Sequence, residues 1–208
     1  MTRPAFPDAA AAWNKRFESP DYIFGLEPNE FLRGHAARIP RGSHVLCVAD
    51  GEGRNSVWLA RQGMRVEAFD ISEVGVAKAR KLAADANVAV EFSVADCEQW
   101  PWPAEAYDAV VAIFVQFADP AMRERLFANM IASLKRSGVL VLQGYTPKQL
   151  EYKTGGPPFA SHLYTAKLLR SAFAALQLVE LREYEADLSE GTQHHGRSAL
   201  IGLVARKP

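Results

Sequence analysis

Short apolar runs alternate with stretches of helical period along most of this chain, and that alternation is its organising pattern. Apolar residues gather at Val45 to Ala49, Arg65 to Asp70, Val90 to Ala95, Ala109 to Ile113 and Val139 to Gln143. Runs of this length bounded by turn residues read as strands. Between them, Asn55 to Gln62 and Ser72 to Asp85 carry the 3.6-residue period of helices. Asp119-Pro120 supplies an N-cap followed by proline at the first helical position, which starts a helix that runs to about Leu134, with Gly138 as its stop. Strand and helix in strict rotation imply right-handed crossovers and a parallel sheet.

The flanks of this core are read from punctuation. Trp100-Pro101-Trp102-Pro103 cannot be a central strand, because proline removes ladder donors, so it is a loop. Thr146 to Ser161, rich in glycine and proline, is a long loop of the functional kind. Thr165 caps a helix carrying Leu168, Leu169 and Phe173, and Leu178 to Tyr184 with Ser198 to Ala205 forms an antiparallel pair. Ahead of the core, Ala9 to Phe17 and Glu30 to Arg38 are helices separated by a turn at Ser19-Pro20-Asp21. The expectation is an α/β fold: a Rossmann-like doubly wound sheet of seven strands, mostly parallel with an antiparallel last strand, and helices on both faces. Residues 1–208 form one domain in this reading, with 1–40 as an N-terminal helical lid.

Composition narrows the function classes. Of 208 residues 49% are hydrophobic, and 24 basic side chains balance 24 acidic ones to a net charge of zero. No global field draws the chain to nucleic acid or to an anionic membrane, so a small-molecule partner is expected. Cys47 and Cys97 lie in or beside apolar runs, which suits reduced thiols in the cytoplasm better than a disulfide or a metal site. The stretch Met1 to Trp13 has no apolar core of the signal-peptide kind, and no segment is apolar enough to span a bilayer.

Chemistry enters at the end of the first strand, where Asp50-Gly51-Glu52-Gly53-Arg54-Asn55 makes a glycine turn into a helix. A second strand ending in Asp70 places a carboxylate where it can grip a ribose diol. Both features serve a dinucleotide or S-adenosylmethionine. A dinucleotide fingerprint calls for glycine or alanine where Ser56 stands, and Glu52 would lie beside a pyrophosphate and repel it. S-adenosylmethionine has no phosphate and carries cationic groups, so an acidic turn suits it better. Two other readings remain open: a non-catalytic S-adenosylmethionine-binding regulatory module, and an NAD-dependent oxidoreductase.

The chain resembles class I S-adenosylmethionine-dependent methyltransferases, and within them the tellurite-resistance and thiopurine methyltransferase-like branch. The resemblance is carried by Trp13 to Phe17 and Tyr22 to Leu32, the Gly51 to Asn55 turn, Asp70, Asp96, Tyr152 to Pro157, Leu163 to Thr165 and His194 to Gly196. It implies that Asp50, Gly51, Glu52, Gly53, Asn55, Asp70, Ile71, Asp96, Cys97 and Phe114 bind the cofactor, whose product is S-adenosylhomocysteine. Gly51 and Gly53 would admit the methionine moiety, Asp70 the ribose hydroxyls and Asp96 the adenine amino group. The chain departs from the family at Cys47 and Ala49, where an acid and a glycine are usual, and Asp50 or Glu52 stands as the replacement acid.

Ligands of open parallel sheets bind beyond the carboxyl ends of the strands, which places the reaction near Phe114, Gln116 and Phe117. The hairpin Ser189 to Gly196 emerges on the same side, so His194 and His195 are candidates for a base or an acceptor contact. Tyr152 and Lys153 are rim candidates, and Trp13, Tyr22, Phe24 and Asn29 lid candidates. No Asn-Pro-Pro-Tyr-type segment follows the fourth strand, which favours a soft S, Se or Te nucleophile on a small-molecule methyl acceptor. No nucleic acid, membrane or metal is expected, and the chain is read as a monomer or homodimer.

Overall fold

The computed structural model describes residues 8–208. Helices α1 (Ala9–Phe17) and α2 (Glu30–His35) precede strand β1 (His44–Val48), and the core continues α3 (Arg54–Arg61), β2 (Arg65–Asp70), α4 (Glu73–Asp85), β3 (Glu91–Val94) and β4 (Tyr107–Ile113). It closes with α5 (Pro120–Ser133), β5 (Leu134–Tyr145), α6 (Gln149–Tyr152), α7 (Ala166–Ala172), β6 (Gln177–Glu190) and β7 (His194–Arg206). The seven strands lie in one sheet of order β3-β2-β1-β4-β5-β7-β6. Strands β1 to β5 pair in parallel, and β7 runs antiparallel between β5 and β6. The expected architecture is therefore the one observed. Of the amino-terminal stretch read above, residues 1–7 lie outside the described residues.

The continuous apolar runs follow from burial of both faces. Leu46, Val48, Val110, Ala112, Leu140 and Leu142 pack on one side with Leu126, Phe127 and Met130 of α5 and Leu169 of α7. Their sequence neighbours Val45, Cys47, Ala109, Val111, Val139 and Val141 pack on the other with Phe31 and Leu32 of α2 and Leu59 of α3. Successive side chains of a strand point to opposite faces, so a strand covered on both must be apolar throughout.

Several boundaries differ from the sequence expectation. Gly138 does not stop α5: the helix ends at Ser133, and Leu134 is already extended and pairs with Tyr107, so Gly138 lies inside β5. The tight packing of Gly138 against Lys135 O, 2.8 Å from where a Cβ would sit, explains a glycine there without a helix stop. Strands β6 and β7 are far longer than expected, pairing from Gln177↔Arg206 to Glu190↔His194, so the hairpin connection shrinks to 191–193. The mixed polar composition of β6 follows from its place at the sheet edge, whereas the polar residues of β7 gather in its first residues, which pair with β6 alone. The loop after β5 contains α6 and a 3₁₀ turn at Ala160–His162, and Glu30 to Arg38 divides into α2 and a 3₁₀ turn at Ala36–Arg38. Asp108 is part of β4, where its carboxylate accepts the His44 N–H at 2.8 Å and meets Lys135 at 2.9 Å.

Candidate functional site

A cavity of about 760 Å³ opens at the carboxyl ends of β1, β2, β3 and β4, within the size of small-molecule sites. Its floor begins where β1 ends. Ala49 has φ 49°, Gly51 φ 60° and Gly53 φ 89°, three left-handed residues that turn the chain sharply into α3. Ala49 thus holds the conformation that glycine favours, and it borders the cavity. Gly53 is obligatory for a second reason, since a Cβ on it would lie 2.7 Å from the Cβ of Ala79 on α4. The turn is locked from β2: the Asp70 carboxylate accepts the N–H of Gly51 and that of Ser72, each at 2.9 Å.

Asp50 and Asp70 both border the cavity and both are enclosed by protein. Burial raises the Asp50 carboxyl to about 7, opposed by the Ser56 hydroxyl that it accepts, with the nearby Asp70 charge adding to the rise. Burial likewise raises Asp70 to about 6, opposed by its backbone hydrogen bonds. The sign of the stability effect follows. A carboxyl raised in the folded state favours folding below its unfolded value and loses that contribution as pH climbs through the folded value. Between pH 5 and pH 8 the ligand-free wild type is therefore expected to lose melting temperature relative to Asp50→Asn. Parallel thermal melts measure this, and equal pH profiles would contradict it. The comparison cancels His194, whose carboxylate-shared imidazole is present in both chains.

Glu52 does not face the cavity. Its carboxylate is buried against Lys78 Nζ and reaches toward the Phe24 N–H at 3.4 Å, so it anchors α4 to the amino-terminal segment. Of the two acids in the turn only Asp50 presents itself to a ligand. Cys47 is buried in the core below the turn. Asn55, Ile71, Asp96, Cys97, Phe114 and Phe117 all line the cavity, and Gly53 does not. Asp96 also accepts the Glu98 N–H at 2.8 Å, which folds its own loop, while burial raises the Cys97 thiol to about 12 and leaves it inert.

The amino-terminal segment forms one wall, through Ala9, Ala10, Trp13, Phe17 and Phe24. Trp13 stacks on Phe17 with centroids 5.4 Å apart, and Asn14 accepts the Ser72 hydroxyl at 2.6 Å, tying α1 to the start of α4. Tyr22 lies apart from the cavity, donating to Lys78 O at 3.1 Å. Asn29 is fully buried behind the wall. Gln116 is also structural: its amide nitrogen donates to Tyr145 O at 2.9 Å and its oxygen accepts the Tyr145 N–H.

The opposite wall is built by Arg54, Phe114 and His194. Phe114 has φ 57°, a strained conformation for an aromatic residue, and its ring stacks on Tyr145 at 4.7 Å and meets His194 at 4.3 Å. His194 is buried and His195 is exposed on the other face, as the alternation of β7 requires. Desolvation pushes the His194 imidazole below its usual range, against the opposing pull of Glu190. Tyr152 and Lys153 lie off the cavity, Tyr152 donating to Glu185 at 2.7 Å.

Sequence reasoning missed Arg54 and Glu190. The Arg54 guanidinium meets the Glu190 carboxylate at 2.7 Å, and Glu190 also accepts from Asn29 Nδ2 at 2.9 Å, all three being buried. Desolvation opposes ionisation of Glu190, yet His194 and Arg54 hold its carboxyl down at about 2. The partners lie 136 positions apart in the chain, so no local pattern marks the pair. Met122, Asp119 and Arg125, from the start of α5, complete the cavity beside Cys97. No group of side chains suited to a metal ion occurs among the described residues.

Residues 45–138 match the sequence model of a methyltransferase domain. A tRNA (uracil(54)-C(5))-methyltransferase of Pyrococcus abyssi is 25% identical over 173 residues, 72% of this chain and 40% of the relative. The chain thus spans about two fifths of the length of the curated relatives it matches. Among solved structures, one concerned with the conversion of a disulfide bond into a thioacetal group during echinomycin biosynthesis superposes with a TM-score of 0.78 at 16% identity. That overlay covers 95% of this chain and 91% of the other. The N-methyltransferase NodS of Bradyrhizobium japonicum, in complex with S-adenosyl-L-homocysteine, superposes with a TM-score of 0.71 at 16% identity, covering 96% and 98%. The fold of this chain is that of these methyltransferase-like α/β proteins.

Proposed function

We propose that this chain is a class I S-adenosylmethionine-dependent methyltransferase acting on a small molecule. The observation that carries the reading is the coupling of Asp70 to the glycine turn: one buried carboxylate, held by the N–H groups of Gly51 and Ser72, borders the cavity where a ribose diol would donate to it. The residues present fit the cofactor. Ala49, Gly51 and Gly53 keep the floor free of side-chain bulk, Asp50 faces the cavity as the acid for an ammonium group, and Asp96 and Cys97 line the end suited to adenine. Departures from the family pattern at Cys47 and Ala49 are thereby absorbed, Ala49 by its left-handed backbone and the missing acid by Asp50.

When bound, the cofactor supplies an activated methyl group. The protein's part is alignment and exclusion of water. Trp13, Phe17 and Phe24 close one side, Phe114 and His194 the other, so an acceptor is confined against the strand ends. His194, buried at the cavity wall, is placed to take a proton from it. His195 points to solvent, and Tyr22, Tyr152 and Lys153 act at most by shaping the surrounding loops.

Residues 1–208 act as one domain in this reading, with the segment to residue 40 as a lid. No helix among the described residues is long and apolar enough to cross a membrane, and the two free cysteines suit residence in the cytoplasm as a monomer or homodimer. The balanced net charge favours a small acceptor over tRNA. A finer place in the tellurite-resistance and thiopurine-like branch, with a soft S, Se or Te nucleophile, is supported by the front and tail segments of the sequence resemblance. Incubation with S-adenosylmethionine and a panel of thiols, selenite, tellurite, amines and unmodified tRNA tests it. S-adenosylhomocysteine formation with the soft nucleophiles is expected, and turnover only with tRNA or amines would overturn the small soft acceptor.

A further inference from the structure

We propose that Ser56 is a positioning residue for the methyl donor: its hydroxyl holds the Asp50 carboxylate in the orientation that receives the donor's α-ammonium group. The inference rests on the methyltransferase reading and adds a specificity-determining residue to it. Ser56 is fully buried in the first turn of α3 and does not line the cavity, so it can act on a ligand only through another group. Its hydroxyl donates to Asp50 Oδ2, with Gly53 O 3.2 Å away as the alternative acceptor. A serine inside a helix ordinarily turns its hydroxyl back to the carbonyl three or four residues earlier. Here the carboxylate lies nearer than that carbonyl and draws the proton instead. Capping does not explain the arrangement, since Gly53 is the N-cap of α3 and no side chain caps there.

The acid needs such a partner because of where it stands. The resemblance puts an acid at Cys47, inside β1, whereas Asp50 lies beyond the end of that strand, in a turn of left-handed residues. Its backbone is fixed from both sides: its N–H donates to Phe69 O at 3.0 Å, and its carbonyl accepts the Gly53 N–H at 3.2 Å. The side chain remains to be held, and among the described residues the Ser56 hydroxyl is the one side-chain donor to the carboxylate. One oxygen is thereby engaged, and Oδ1 is left for a ligand. The same bond bears on charge. Burial and the Asp70 carboxylate raise the Asp50 carboxyl to about 7, and Ser56 opposes both, because a donor favours the ionised form. An ionised carboxylate is what an ammonium group pairs with most strongly. The charged and titratable groups facing Asp50 are Asp70 of β2, Arg54 of α3 and Cys47 of β1. The glycine or alanine of a dinucleotide fingerprint has no hydroxyl to give, so the residue that argues against NAD also serves the methyl donor.

The test is a double-mutant cycle read with two ligands. S-adenosylhomocysteine carries the ammonium group, and 5′-methylthioadenosine keeps the adenosine and the sulfur but lacks the amino-acid end. Each is titrated by calorimetry at pH 6, 7 and 8 into wild type, Ser56→Ala, Asp50→Asn and the double variant, with thermal melts as the folding control. Ser56→Ala is expected to bind S-adenosylhomocysteine about tenfold more weakly at pH 6, the worth of one hydrogen bond to a charged group. The gap should narrow by pH 8. Its sign follows from the lost donor: without it the carboxyl keeps its proton to a pH about one unit higher, so the variant presents the same charge only in more alkaline solution. 5′-Methylthioadenosine should bind all four chains within about threefold, because it has no group for Asp50 to receive. On the Asp50→Asn background, Ser56→Ala should change S-adenosylhomocysteine affinity by less than about threefold, since the charge it acts through is gone. Equal S-adenosylhomocysteine affinity in wild type and Ser56→Ala at pH 6 would overturn the assignment. So would a pH-independent loss shared by both ligands, or a loss undiminished on the Asp50→Asn background, each of which marks Ser56 as structural. If neither ligand binds wild type, the cofactor reading falls and takes this role with it. If both bind and only the Ser56 contrasts fail, the reading stands and the role alone falls.

Discussion

Asp70→Ala is expected to weaken S-adenosylhomocysteine binding by at least about 100-fold, the loss of two hydrogen bonds to a charged acceptor at about 1.5–3 kcal/mol each. The same carboxylate holds the Gly51 N–H at 2.9 Å, so its removal also frees the turn that would receive the amino-acid end of the cofactor. Stability should change little. Burial already raises the Asp70 carboxyl to about 6, so deleting it relieves a desolvation cost while forfeiting two backbone hydrogen bonds. A net change near 1 kcal/mol corresponds to about 2–4 °C in melting temperature for a chain of this size. Calorimetry against a ligand-free melt separates the two effects. A variant that binds as wild type does would remove Asp70 from the site, and one that unfolds would make it a structural residue instead.

Glu190→Ala is expected to produce the largest loss of stability of any single change at the cavity wall. Glu190 accepts from Arg54 and Asn29 and lies 3.6 Å from His194 Nδ1, and so links α3, the amino-terminal segment and the β6–β7 hairpin. Truncating it strands a buried guanidinium, which costs about 3–5 kcal/mol, or about 10 °C or more in melting temperature. The loss should be pH-dependent in a definite sense. Because Arg54 and His194 hold the carboxyl at about 2, its contribution is complete above its ordinary value near 4.5 and disappears as pH falls toward 2. Glu185 provides the contrast. It pairs with Lys148, Arg197 and Tyr152 at the surface, where water screens the pairing, so Glu185→Ala should melt close to wild type. Equal melting temperatures for the two alanine variants would show that the buried cluster does not tie the amino-terminal segment to the sheet.

What could be read in advance divides along physical lines. Strand β2 carries the bounds expected from sequence, Arg65–Asp70, because its buried positions Val66, Ala68 and Phe69 are closed at each end by a charged residue. The glycine turn was legible for the same kind of reason: its conformations depend on a few adjacent residues. Strands β6 and β7 were underestimated because β6 is the edge strand and the first residues of β7, His194 to Ala199, pair with β6 alone, so polar and apolar positions mix there and blur the ends. At Gly138 the signal itself misled, since glycine serves both helix stops and close packing, and only the neighbouring Lys135 carbonyl distinguishes them.

The site follows the same division. Asp50, Asp70 and Phe114 sit at strand ends, so topology alone puts them near a ligand. The side-chain direction of Glu52 was not legible: one residue beyond Gly51 it turns under the sheet to Lys78, so the electrostatic argument against a phosphate rests on Asp50 alone. His194 and His195 looked equivalent as neighbours in a loop. They separate once β7 begins at His194 and alternation sends them to opposite faces. Arg54 and Glu190 acquire meaning only through each other, and a pair that distant in sequence leaves no local trace.

The most direct measurement of the central claim is calorimetric titration of the chain with S-adenosylhomocysteine and with NAD, side by side at pH 8, where Asp50 and Asp70 are ionised. One S-adenosylhomocysteine per chain, lost in Asp70→Ala, together with no heat from NAD, is the predicted result. Binding of NAD with no response to S-adenosylhomocysteine would contradict it.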